Sequence, residues 1–118
     1  MIKGIGIDII ELERIHNSIE KSDRLAERVL TERELERYAF FDNKRRRIEY
    51  LAGRFAAKEA CAKALGTGIG KLSFQHIEVM NDQQGAPYIV VEGYEEYTFF
   101  LSISHSKQYA VAQVIIQD

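Results

Sequence analysis

Gly53-Arg54-Phe55-Ala56-Ala57-Lys58-Glu59-Ala60-Cys61-Ala62-Lys63 is the stretch around which the rest of the chain is organised. At about 100° per residue, Ile48, Leu51, Phe55, Glu59 and Ala62 fall on one face of a helix. Gly53, Ala57, Ala60 and Ala64 make a small-residue stripe on the other. Little of such a helix is left for water, so it is predicted to be long and central. Glu59 then stands where a hydrophobe is expected, and an ionised Glu there is costly unless a cation or several donors compensate it. Lys63 lies one turn on. The helix alone leaves two readings open: an i,i+4 Glu59/Lys63 pair worth ~0.2–0.5 kcal/mol, or a carboxylate that holds another partner.

Upstream, Ile2 to Ile10 alternates as a strand with Ile5, Ile7 and Ile9 on one side and Gly4, Gly6 and Asp8 on the other. Glycines beside a carboxylate leave room for a second backbone or a ligand, which suggests a pocket floor. A helix cap or the polar face of an edge strand explains Asp8 equally well. Leu12, Ile15 and Ile19 keep helical spacing, and a second short helix carries Leu25, Val29 and Leu30 inside, with Arg24 and Arg28 outside. Thr31-Glu32-Arg33-Glu34 has the capping-box pattern and opens a third helix to about Phe41, in which Tyr38, Phe40 and Phe41 are expected in the core. Lys44-Arg45-Arg46-Arg47 then leads into the central helix. Four cations at a helix start oppose its macrodipole and suit either an anionic partner or solvent.

Downstream, Gly66-Thr67-Gly68-Ile69-Gly70 ends the helix, and lacks the lysine spacing of a P-loop. Phe74–Met80 and Pro87–Val91 read as a hairpin across Asn81-Asp82-Gln83-Gln84-Gly85. Phe99–His105 and Tyr109–Ile116 form another around Ser106-Lys107-Gln108. The expected fold is α+β: an N-terminal strand and several helices, one long and central, packed on a largely antiparallel sheet, in a single domain over residues 1–118.

Sixteen basic against eighteen acidic residues give a net charge of −2, which argues against a general nucleic-acid binder. No apolar run has membrane-spanning length, and the N-terminus reads as a strand rather than a signal peptide, so a cytoplasmic protein without membrane or nucleic-acid partners is expected. The lone Cys61 excludes an internal disulfide and reads as a packing residue. Ser102-Ile103-Ser104-His105-Ser106 has no nucleophile elbow, and neighbours along a strand alternate sides, so a Ser/His hydrolase fits poorly. A phosphate contact by Ser104 and His105, or a turn cap, fits better.

Three stretches together are more specific than any one of them. Gly4-Ile5-Gly6-Ile7-Asp8-Ile9 with Arg14-Ile15, then Arg54 to Ala60 with Lys63, then Ser102-Ile103-Ser104-His105 occur in an order and at distances that closely resemble the bacterial holo-acyl-carrier-protein synthases. The resemblance covers essentially the whole chain, including Gly66-Thr67-Gly68 and Gly85-Ala86-Pro87. Phe55 stands where many relatives have Trp, and the segment between Pro87 and Ser102 is short.

The resemblance implies the 4'-phosphopantetheinyl transferase fold. It also implies transfer of the phosphopantetheine arm of coenzyme A to a serine of apo acyl carrier protein, releasing adenosine 3',5'-bisphosphate, in support of fatty acid biosynthesis. It makes Asp8 and Glu59 ligands of magnesium and, with Lys63, the catalytic group. Hard oxygens suit that ion, and phosphoryl transfer asks chiefly for charge neutralisation. It further implies contacts to coenzyme A from Arg46, Arg54, Lys63, Gly68, Pro87, Ser104 and His105. Arg14, with Arg24 and Arg28, would meet the acidic carrier protein, and the assembly would be a homotrimer with active sites between subunits. Two other readings stay open on residues alone: a different magnesium-dependent nucleotide phosphotransferase or hydrolase using the same carboxylates, and a non-catalytic RNA-binding module built on Lys44 to Arg47.

Overall fold

Alternation makes Ile2–Glu11 the first strand, β1, and a computed structural model describes it together with the rest of the chain, Met1–Asp118. Three short helices follow, α1 (Leu12–Lys21), α2 (Arg24–Val29) and α3 (Glu32–Ala39), then the long helix α4 (Lys44–Leu65). The expected capping box is present: Thr31 Oγ1 accepts from Glu34 N at 3.4 Å, and Glu34 Oε1 accepts from Thr31 N at 2.8 Å. Asn43 caps α4, and Gly66 ends it in the left-handed conformation at φ 77°. Strands β2 (Ile77–Asn81) and β3 (Pro87–Val91) form one antiparallel pair. Strands β4 (Thr98–His105) and β5 (Tyr109–Gln117) join β1 in an antiparallel sheet of order β1-β5-β4.

The α+β expectation holds, with three refinements. The antiparallel strands divide into two sheets. Phe74–His76 is a single 3-10 turn rather than the start of a strand. The helix α3 stops at Ala39, so Tyr38 is buried and Phe41 half-buried, but Phe40 projects outward, 79% exposed.

One face of the three-stranded sheet packs on α4. Its rows run Gly6–Val114–Leu101, Asp8–Ala112–Ile103 and Ile10–Ala110–His105. The approach is close because β1 carries glycines there: a Cβ on Gly6 would lie 2.0 Å from the carbonyl oxygen of Ala60, and one on Gly4 2.0 Å from that of Ala64. The small-residue stripe of α4 is thus the seat of β1. The opposite face carries Ile5–Ile115–Phe100, Ile7–Gln113–Ser102 and Ile9–Val111–Ser104. It is open, with Ile5, Ile7 and Ile9 61%, 58% and 63% exposed. A sheet with its glycines inward and its isoleucines outward reverses the usual pattern and leaves an apolar surface uncovered.

Candidate active site

Packing β1 on α4 brings Asp8 beside Glu59 and Lys63. Lys63 Nζ donates to Asp8 Oδ1 at 3.0 Å and to the Ile7 carbonyl at 3.0 Å. It forms no ion pair with Glu59, so the simple i,i+4 reading fails. Burial raises the Glu59 pKa above its ordinary 4.5, and the neighbouring Asp8 charge raises it further; Lys63 and Arg28 act in the opposite sense. Glu59 is half-buried rather than sealed in an apolar face. Two adjacent carboxylates with a lysine at their rim form a centre short of positive charge. No third His, Cys, Asp or Glu completes a metal-binding group.

The fully buried charge in α4 is its neighbour. Lys58 and Glu34 are both 0% exposed and pair at 2.6 Å. Lys58 Nζ also donates to the carbonyls of Val29 at 2.7 Å and Phe74 at 3.1 Å. The Glu34 carboxylate accepts from Thr31 N and, at 2.7 Å, from Val79 N. Every donor of the ammonium has a partner, so the pair ties α2, α3, the 3-10 turn and β2 to the turn of α4 that carries Glu59. Sequence reasoning assigned Glu34 to the cap and passed over Lys58. The signal was a lysine whose i−7, i−3 and i+4 neighbours are Leu51, Phe55 and Ala62.

A second feature lies toward the other end of α4. A cavity of about 720 Å³ is lined by Arg33, Arg37, Arg46, Arg54, Pro87 and His105, among others. Arg54 is 8% exposed, its guanidinium 4.2 Å from the Tyr50 ring, with Nη2 donating to Asn81 Oδ1 at 2.7 Å. Burial lowers its pKa, yet a guanidinium stays cationic at neutral pH. Its Nε has no partner in the chain. Arg46 stands over the Phe41 ring at 5.3 Å, and Arg37 does the same. The only carboxylates on the cavity wall are Glu49 and Asp82, and Asp82 Oδ1 accepts from the amides of Gln84 and Ala86. The net effect is a cationic hollow suited to a phosphate.

Arg46, Arg54, Pro87 and His105 are therefore gathered in the cavity, while Asp8, Glu59 and Lys63 gather elsewhere. Ser104 lies beside Val111 on the open sheet face, opposite His105. Gly68 is exposed in the loop after α4, at φ 67°. Three of the four cations at the start of α4 are engaged within the molecule, Lys44 with Glu20, Arg45 with Glu49, and Arg47 4.6 Å from the Tyr38 ring, and Arg46 lines the cavity. An RNA-binding reading loses its footing there. Arg14, Arg24 and Arg28 are exposed on α1 and α2, and Arg28 stands 5.4 Å from the Phe74 ring. Cys61 is buried with its thiol pushed up to about 12, as a packing residue should be. No helix is long and apolar enough to cross a membrane.

The profile of the 4'-phosphopantetheinyl transferase superfamily matches residues 4–114. The chain is 55% identical over 117 residues to a holo-[acyl-carrier-protein] synthase of Oceanobacillus iheyensis, covering 99% of this chain and 98% of that one. A crystal structure of a holo-(acyl-carrier-protein) synthase from Bacillus anthracis in complex with CoA (3',5'-ADP) superposes with a TM-score of 0.90. It shares 52% identity over 98% of this chain and 96% of that chain. The Helicobacter pylori holo-[acyl-carrier-protein] synthase, in complex with coenzyme A, aligns with a TM-score of 0.83 at 34% identity, over 96% of this chain and 99% of that one.

Proposed function

This chain belongs to the 4'-phosphopantetheinyl transferase superfamily, and we infer that it transfers the 4'-phosphopantetheine arm of coenzyme A to a serine of apo acyl carrier protein, releasing adenosine 3',5'-bisphosphate. The observation that carries the reading is the convergence of Asp8, Glu59 and Lys63 from β1 and α4, with a separate arginine-lined cavity on the same protein.

The serine hydroxyl attacks the β-phosphate of the coenzyme A pyrophosphate. A phosphorus–oxygen bond forms to the serine, and the bond to the bridging oxygen of the nucleotide breaks. Asp8 and Glu59 supply hard oxygen ligands that fit magnesium, an ion that usually keeps waters and substrate phosphates in its other positions. When bound, that ion supplies charge neutralisation at the pyrophosphate. Lys63, which holds Asp8 at 3.0 Å, is placed to shift its ammonium toward a phosphate oxygen and stabilise the charge that develops on the leaving group. The serine proton passes to Glu59 or to a water at the site. Arg46, Arg54 and His105 bind the nucleotide, with the phosphate on its ribose as the anion they meet. Arg14, Arg24 and Arg28 offer exposed cations to an acidic carrier protein.

The active site is shared between subunits. Arg46 and Glu59 are thirteen residues apart on one helix, about 20 Å along its axis. In coenzyme A a single ribose separates the 3'-phosphate from the pyrophosphate. That span is short of the separation between Arg46 and Glu59, which supports a donor whose two ends meet two chains. The uncovered face carrying Ile5, Ile7, Ile9 and Phe100 supplies the apolar contact surface for a homotrimer.

Mass spectrometry of an apo carrier protein incubated with this protein, coenzyme A and magnesium tests the activity directly. The expected result is a mass gain of one phosphopantetheine on the carrier. Hydrolysis of coenzyme A with an unmodified carrier would instead identify a nucleotide hydrolase. In the same assay Arg14→Glu should raise KM for the carrier and leave that for coenzyme A unchanged.

A further inference from the structure

Glu49 is out of place on the wall of a cavity built for anions. It is one helical turn after Arg45 and one before Gly53, on the face of α4 that meets the inner side of β4. The absent side chain of Gly53 makes room for Ile103, whose Cγ2 would lie 3.3 Å from a Cβ there. Glu49 Oε2 accepts from Arg45 Nε at 3.0 Å and stands 3.5 Å from His105 Nδ1. Arg45 in turn donates through Nη2 to the carbonyls of Ser106 at 3.0 Å and Lys107 at 2.9 Å, at the tip of the hairpin that follows His105. A single carboxylate therefore holds both the ring of His105 and, through Arg45, the backbone that carries it. An unpaired carboxylate at this point would repel a phosphate; one engaged by the Arg45 guanidinium repels it less.

We propose that Glu49 is a positioning residue for donor recognition: by holding Nδ1 of His105 and the β4–β5 hairpin, it turns Nε2 toward the cavity and sets the preference for coenzyme A over coenzyme A lacking its 3'-phosphate. A carboxylate behind an imidazole fixes ring orientation, and a protonated ring held that way presents its Nε2–H to an anion. The proposal rests on the reading of this cavity as the nucleotide site.

The test is steady-state kinetics of the full chain with carrier protein and magnesium, using coenzyme A and 3'-dephospho-coenzyme A as donors. It compares wild type, Glu49→Gln, His105→Ala and the double variant. Glu49→Gln should raise KM for coenzyme A about tenfold, as for one lost charge-assisted contact, with kcat held within about twofold. KM for the dephosphorylated donor should not move, and the double variant should be no worse than His105→Ala. Glu49→Asp, which keeps the charge, should recover part of the discrimination and serves in its place if the Gln variant does not fold. Equal losses on both donors, or penalties that multiply in the double variant, would make Glu49 merely structural and overturn the proposal. A silent Glu49→Gln beside an impaired His105→Ala sinks the proposal alone. A silent His105→Ala removes the reading of the cavity and the proposal with it.

Discussion

Glu59 sits beside Asp8 in a half-buried position, and its carboxyl holds its proton more tightly in the folded chain than in the unfolded one. A carboxyl with a raised folded pKa contributes stability that is fully present below its unfolded value, ordinarily 4.5, and is lost as pH rises through the raised value. At neutral pH and without divalent cation, Glu59 therefore destabilises the fold. Glu59→Gln should melt at a higher temperature than wild type at pH 7, with the difference shrinking as the pH falls through the raised value toward 4.5. The same variant should lose phosphopantetheine transfer by orders of magnitude, and added magnesium should raise the melting temperature of wild type but not of the variant. A lower melting temperature at pH 7, or near wild-type transfer, contradicts this account. The sequence singled out this carboxylate but overestimated its burial. Side-chain identity and helical phase give the face a residue occupies, whereas the depth of burial depends on what packs there, and at this turn α2, α3 and β2 close over Lys58 instead.

At the scale of elements, the site depends on how closely β1 lies on α4. The atoms that would meet a Cβ on Gly6 are backbone, the Ala60 carbonyl oxygen at 2.0 Å and the Ala64 nitrogen at 2.8 Å, so nothing can yield without the strand moving. Gly6→Ala should cost about 2–3 kcal/mol by chemical denaturation, as overpacking against rigid neighbours does. It should also abolish transfer, because Asp8 moves with the strand. Wild-type stability in this variant would contradict so close a contact. The pairing of glycines with a small-residue stripe was legible as two separate patterns. That each is the seat of the other was not, since either pattern is equally compatible with a ligand or a second subunit.

For the whole molecule, the proposed assembly rests on the uncovered isoleucine face and on the separation of the arginine-lined cavity from Asp8 and Glu59. Ile7→Lys places a charge at the centre of that face, 58% exposed in the single chain. It should yield a folded monomer by light scattering and circular dichroism, with transfer largely lost. Asp8→Asn and Arg54→Ala should each be inactive alone. Mixed and allowed to exchange subunits, they should regain activity, because some interfaces then join an intact Asp8 to an intact Arg54. An active Ile7→Lys monomer, or no recovery on mixing, would place the complete site within one chain.

Local pattern was enough for the elements: the capping box at Thr31, the left-handed stop at Gly66, the alternation of β1 and the two hairpins are set by contacts within a few residues, and those contacts are written in neighbouring letters. The Asp8, Glu59 and Lys63 constellation was also legible, because their spacing and types are those of a known family. Only the tertiary structure showed that Lys63 binds Asp8 rather than Glu59, and that Glu34 caps a helix and neutralises Lys58 at once. It alone showed that Glu49 reaches His105 from fifty-six positions away. Each of these is a distance between segments far apart in sequence, fixed by how one helix lies on one sheet, and a chain read letter by letter carries no record of that angle.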